Sequence, residues 1–233
     1  MTVITLESIE HIHRIFAPLS KQPSLKYRGQ SNSEWNLMPK SGREMFRNIS
    51  DKLLLYHWKR RAVGILSKSY VTELEYLTIA QHTGLPTRLL DWSHSPLVAL
   101  FFAVSENPSK DGALFMYKTS SNEYKNPVDI DPFNLDVEYF FHTPSSTINR
   151  LDNQYGHFSI QRNPRVNFES ICKTENLTKI IIPLRIKKDL QIMLNHYGIN
   201  YMSIYPDLDG LSRHLSWFYE NFGEWTEPSI DTV

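Results

Sequence analysis

The chain has 233 residues, 41% hydrophobic and 12% aromatic, enough to bury a sizeable core in one domain. Its 25 basic and 25 acidic side chains cancel, so the positive excess that drives non-specific nucleic-acid binding is absent; KRR at 59–61 and RIKKD at 185–189 are short clusters expected on solvated helix faces. Cys172 is the single cysteine, which excludes an internal disulfide and a Cys/His zinc cluster, and no apolar run approaches the roughly 20 residues of a membrane span.

MTVITLESIEHIHRIF has no apolar h-region, so a signal peptide is not expected and the chain reads as cytoplasmic, without a membrane partner. Leu6, Ile9, Ile12, Ile15 and Phe16 predict an amphipathic helix over 5–19. SLKYRG, 24–29, suits a strand ending in a tight turn or a close backbone approach at Gly29. EWNLMP suits a short strand stopped by Pro39, and helical spacing runs from Arg43 to Ile65 and from Thr72 to Gln81. Gly84 and Pro86 end the latter.

A buried helix over 95–105 follows, with Ser93 or Ser95 as its cap and Pro96 at an early position, where a missing N–H costs little. GALFMYK at 112–118, VEYFFHT at 137–143, HFSI at 157–160 and LTKIIIPLRI at 177–186 read as strands. Residues 119–136 form a long irregular stretch, a candidate loop over a site. Helices are expected over 187–197, ending at Gly198, and from Asp207 or Asp209 onward. Helices and strands do not alternate, so the fold class is α+β: a mixed β-sheet, whole or split, with a helical cluster between the first strand and the later ones. The chain reads as one domain, with its core over about 20–215.

Three blocks concentrate polar chemistry: KYRGQ at 26–30, QHTGLPTRLLDWSHSP at 81–96 and NRLDNQYGHF at 149–158. Arg28, at a strand end, needs a partner for its planar fork, either a carboxylate such as Asp91 or a ligand's carboxylate or phosphate. Arg88 and Asp91, three apart, would meet on one helical turn and brace it. Trp92 is expected in the core, and Ser93 and Ser95 as caps. His82 fits a satisfied, partly buried imidazole or a site wall, and Gln154 fits a sugar hydroxyl or a backbone group. The spacings of a dinucleotide fingerprint, a P-loop and a zinc protease are absent.

The blocks together resemble the FRG domain family, named for its aromatic-Arg-Gly motif. Tyr27-Arg28-Gly29-Gln30 carries the resemblance, followed by QHTGLPTRLLDW with SPLVALFFA, by RLDNQYGHF, and by IIIP with YPDLDGL at 205–211. A more distant similarity is to the R-S-E class of ADP-ribosyltransferases, whose split α+β sheet clamps NAD. There an arginine on the first strand supports the dinucleotide, a serine strand and an A-x-x-F-A-like helix follow, and a later glutamate grips the nicotinamide ribose. Arg28, then Ser93 and Ser95 before VALFFA, then Gln154 follow that order.

The serine block here reads WSHSP rather than S-T-S, and Gly156 stands where the Q-x-E glutamate belongs. The missing acid would weaken electrostatic support of an oxocarbenium-like transition state, unless Glu138 or Asp152 supplies it. The resemblance implies Arg28 and Gln154 as catalytic residues and NAD as substrate. It implies Tyr27, Arg28, Gly29, Gln30, Gln81, His82, Arg88 and Ser95 as nucleotide contacts, with no metal. The acceptor would be a nucleic acid or a protein, in a bacterial or phage defence or toxin setting. Two other readings stand beside it: a regulatory module that binds a nucleotide or partner without turnover, and a buried polar network that only specifies the fold.

Overall fold

The computed structural model describes residues 1–46, 48–66, 70, 72–125, 130–144 and 156–223. The strands are β1 (Thr2–Thr5), β2 (Leu25–Gln30), β3 (Leu89–Ser93), β4 (Gly112–Lys118), β5 (Tyr139–His142), β6 (Gly156–Gln161) and β7 (Leu177–Ile182). They form one open sheet in the order β1-β7-β4-β2-β3-β6-β5. β1 joins β7 in parallel, and every other pairing is antiparallel. The expected α+β class with a mixed sheet is therefore observed.

The sheet is whole, yet nearly split. β2 pairs with β4 along its full length, from Leu25↔Lys118 to Gln30↔Ala113, and β3 pairs with β6 from Leu89 to Ser93. Between β2 and β3 the register holds a single pair, Tyr27↔Ser93. Two well-laddered halves thus meet at one point and part beyond it.

The helices are α1 (Ile9–Phe16), α2 (Asp51–Ala62), α3 (Glu73–His82), α4 (Pro96–Val104), α5 (Leu184–His196), α6 (Tyr201–Ile204) and α7 (Leu208–Phe222). α3 begins in a reciprocal capping box between Thr72 and Glu75. Ser95 caps α4 by accepting from the Val98 amide at 3.3 Å, whereas Ser93 is not a cap: it ends β3 and its Oγ accepts from the Ser95 amide at 3.0 Å, bracing the turn before the helix.

Several expectations are corrected. The first helix is shorter than 5–19 because Thr2–Thr5 is an edge strand paired with β7. EWNLMP forms no strand; its buried Leu37 anchors a loop by accepting from the Phe168 amide at 2.8 Å. The helix expected from Arg43 starts at Asp51. The turn thought to pair Arg88 with Asp91 is a strand, β3, so successive side chains diverge and the two residues take different partners. β7 ends at Ile182, and Pro183 hands the chain directly to α5, which therefore starts before residue 187. Lys187 is 2% exposed rather than solvated: its Nζ donates to the Ser31, Glu106, Asn107 and Lys110 carbonyls.

Three apolar clusters hold these elements. α1, α4, α5 and α6 cover one half of the sheet, against Leu25, Tyr27, Leu114, Met116, Ile180 and Ile182. α2 and α3 cover the other half, against Leu89, Phe140, Phe158 and Ile160. Trp92, Phe115, Tyr117, Phe141 and Phe168 pack together in the third cluster. Trp92 is 2% exposed and donates to Ser159 Oγ at 2.9 Å, a core residue as expected. Gly29 lets α4 lie directly on β2: a Cβ there would stand 1.9 Å from the Ala99 carbonyl oxygen and 2.7 Å from the Ala103 nitrogen. In the Tyr27-Arg28-Gly29 triplet, the tyrosine thus packs, the glycine seats the helix, and the arginine, alternating to the other side, is left for the gap.

Candidate functional site

A cavity of about 330 Å³ opens where β2 and β3 part. Its wall includes Tyr27, Arg28 and Gly29 of β2, Leu89 to Ser93 of β3, and Gln81 and His82 at the end of α3. Ala99 and Phe102 of α4, Gly156 and Phe158 of β6, and Tyr205 complete much of the remainder. Lys40 and Arg43 enter from the loop after β2. That loop is tied to the β3 entrance, since the Ser41 amide donates to the Thr87 carbonyl at 3.1 Å and Lys40 Nζ to the Gly84 carbonyl at 3.0 Å. The charged lining is therefore Arg28, Lys40 and Arg43 against Asp91 alone, an excess of positive charge among the described residues.

Arg28 holds the two halves of the sheet together where the ladder fails. Its Nη1 donates to the Asp91 carbonyl at 2.7 Å and to Asp91 Oδ2 at 3.3 Å. Both bonds leave from that one nitrogen. Nε is buried without a hydrogen-bond partner, and no bond from Nη2 is made among the described residues. The Nε–Nη2 edge is the side of a guanidinium that grips an oxyanion with two parallel bonds. Burial holds the Arg28 pKa below its usual value; Asp91 opposes that shift and nearby Arg43 adds to it. A buried, half-satisfied cation costs free energy that an incoming anion would recover.

Asp91 is the carboxylate on this wall, with its side chain 59% exposed. Gln81 Nε2 donates to Oδ1 at 2.6 Å and Arg28 holds Oδ2, while Thr87 Oγ1 donates to the Gln81 amide oxygen. The expected Arg28–Asp91 pairing is thus present, and it leaves the arginine's second edge unused.

Of the residues anticipated as contacts, Tyr27, Arg28, Gly29, Gln81 and His82 line the cavity. Gln30, at the end of β2 on the same face as Arg28, does not line the cavity and donates to the Asn36 carbonyl at 3.3 Å, and Ser95 is occupied in capping α4. Arg88 belongs to another part of the molecule: it clamps Asp51 through Nε at 2.7 Å and Nη2 at 2.9 Å, and Nη1 donates to the Pro132 carbonyl at 2.8 Å. Arg150, Asp152 and Gln154 lie outside the described residues. Glu138 is on the surface, paired with Arg162 at 2.7 Å. The described residues of 119–136 do not line the cavity; Pro132 serves Arg88, and Glu123 accepts from the Tyr117 and Tyr139 hydroxyls. Lys40 and Arg43 were missed by sequence reasoning. The only signal was basic residues flanking Gly42 in an aperiodic loop.

A second polar group sits one turn of the pleat from Arg28. Lys26 is 3% exposed, and its Nζ approaches His94 Nδ1 at 3.3 Å. The His94 and His157 rings meet edge to face at 4.0 Å, and His157 Nδ1 bonds Thr143 Oγ1 at 2.9 Å. Burial pulls the Lys26 pKa down to about 8 and that of His157 to about 3, the latter with help from His94 and Lys26.

Fold and cavity together define an α+β protein with a cationic cavity at a break in its sheet. Residues 23–112 match the FRG domain family. That span carries β2, α2, α3, β3 and α4, and with them every cavity residue named above except Gly156, Phe158 and Tyr205. No curated protein and no solved structure matches the chain. Among the described residues, no helix is long and apolar enough to cross a membrane.

Proposed function

We propose that the cleft between β2 and β3 binds NAD or a related nucleotide by its phosphates, and that the bound dinucleotide donates ADP-ribose to a macromolecular acceptor. The observation that carries the binding is Arg28, whose buried Nε lacks a partner, in the wall of a cavity with surplus positive charge. Arg43 and Lys40 add attraction for the same anion, and Phe102, Leu85 and Tyr205 offer apolar surface to a ring. In the transfer, the bond between ribose C1′ and the nicotinamide nitrogen breaks and its electron pair leaves with nicotinamide. A lone pair of the acceptor forms the new bond at C1′, and the acceptor's proton passes to solvent. Asp91, the carboxylate of the lining, would offset the positive charge that develops on the ribose.

One observation favours a second reading, a nucleotide-binding module without turnover. Asp91 is already engaged by Gln81 and Arg28, which spreads its charge away from any ribose. Calorimetric titration of the wild-type chain with NAD, combined with chromatographic assay of nicotinamide release in the presence of nucleic acid or protein, separates the readings. Binding with release supports transfer. Binding without release under any acceptor supports the module. Absence of binding overturns both.

A further inference from the structure

A second hollow, of about 500 Å³, adjoins the cleft and shares Arg43 with it. Trp35, Asn36, Met38, Gly42, Glu44 and Arg165 form its wall. Trp35 is 42% exposed, which leaves part of its indole open to solvent. It is held in place by a local turn, with the Trp35 amide donating to the Asn32 carbonyl at 3.3 Å and the Glu34 amide to Asn32 Oδ1 at 2.9 Å. The Arg43 guanidinium stands 6.0 Å from the centre of its ring. Gly42 fixes the floor: a Cβ there would lie 1.8 Å from the Pro164 carbonyl oxygen, so only glycine lets the loop carrying Arg43 press against the loop carrying Arg165.

The first cavity, at about 330 Å³, is small for a ligand of two rings; small-molecule sites span roughly 300–1,000 Å³. We infer that the ligand is bipartite: one ring-and-sugar half occupies the cleft, the bridging phosphates lie between Arg28 and Arg43, and a second ring stacks on Trp35. Aromatic faces accept any nucleobase by stacking, and an adjacent guanidinium supplies the charge that a phosphate link requires. This inference rests on the nucleotide reading of the cleft and deepens it, because it selects dinucleotides over mononucleotides.

The test is calorimetry and tryptophan fluorescence with NAD, AMP and nicotinamide mononucleotide on the wild type and on Trp35→Ala and Trp35→Phe. NAD is expected to bind about ten-fold more tightly than either mononucleotide, and Trp35→Ala to remove about that factor for NAD while leaving the tighter mononucleotide unchanged. Trp35→Phe retains NAD affinity but loses the fluorescence quench that NAD causes. An unchanged NAD affinity in Trp35→Ala, or an equal loss for all three ligands, overturns the subsite and leaves the cleft reading standing. A wild type that binds none of them overturns both.

Discussion

Two arginines, one buried and one partly exposed, sixty positions apart in the chain, show what separates a brace from a site. Arg88 spends all three nitrogens: two on Asp51, the third on the Pro132 carbonyl, with Phe133 lying 4.5 Å from its centre. Arg28 spends one nitrogen, on Asp91, and leaves an edge unpaired beside a cavity. The lysines repeat the contrast. Lys187 and Lys26 are both buried with pKa values pulled down to about 8 by burial, yet Lys187 is caged by backbone carbonyls while Lys26 meets a histidine. Satisfied cations lock the fold, and the underused ones flank the break in the sheet. Unpaid desolvation of this kind concentrates where a protein meets its ligands.

The contrast is broken or sharpened by substitution, beginning with the largest effect. Arg88→Ala leaves Asp51 buried and unpaired and is expected to cost about 3–5 kcal/mol, a fall in Tm of roughly 6–20 °C by thermal denaturation, at about 2–4 °C per kcal/mol. Lys187→Met strips the donor from its carbonyl cage and is expected to lower stability by about 2–3 kcal/mol in a denaturant titration. Lys26→Met should act in the opposite direction, raising Tm by a few degrees, because it removes a buried charge with no carboxylate partner among the described residues. Equal and negative effects of the two lysine substitutions would erase the distinction.

A smaller effect concerns pH. His142 and His157 are held neutral by burial, with pKa values near 4 and 3, whereas an unfolded histidine protonates near 6.5. Glu75 opposes the shift at His142; His94, Lys26 and His142 reinforce it at His157. Between about pH 6.5 and 3 the unfolded chain binds more protons than the folded one, so stability is complete above that window and falls as pH drops through it. Tm measured from pH 7 downward should decline steadily, and His157→Gln should flatten the slope. The smallest expected change is in Asp91→Asn. Removing the one competing negative charge on the wall should strengthen nucleotide binding a few-fold with little change in Tm, whereas a loss of nicotinamide release in that variant would mark Asp91 as the residue that steadies the ribose.

The pattern of what was legible follows from where the deciding contacts lie. β4 and β7 announce themselves as β-branched and aromatic runs, and α4 as an apolar run behind a serine cap. β3 does not, because LLDWS is buried at every position but Asp91 and so lacks alternation, and the glycine and proline just before it suggest a turn. β1 is four residues long, and its partner lies at the other end of the chain, at Thr178 to Ile181. The Arg28–Asp91 pairing could be anticipated from chemistry alone. Arg88's true partner could not, since Asp51 is brought to it only by the packing of α2 over the second half of the sheet. Lys40, Arg43 and Trp35 sit in a loop whose sequence reads partly as a strand over EWNLMP and partly as the start of a helix at Arg43, so neither pattern marks any of the three for a role.

The central claim is that the free edge of Arg28 receives a phosphate. The direct measurement is a calorimetric titration of NAD into the wild type, Arg28→Ala and Arg28→Lys, each checked for a cooperative thermal transition. The account predicts binding to the wild type and none detectable to Arg28→Ala. It predicts weak binding to Arg28→Lys, which keeps the charge and lacks the fork, with Tm changes well short of that of Arg88→Ala. Wild-type affinity in a folded Arg28→Ala, or a collapse of its stability to the level of Arg88→Ala, would make Arg28 a second brace and remove the site.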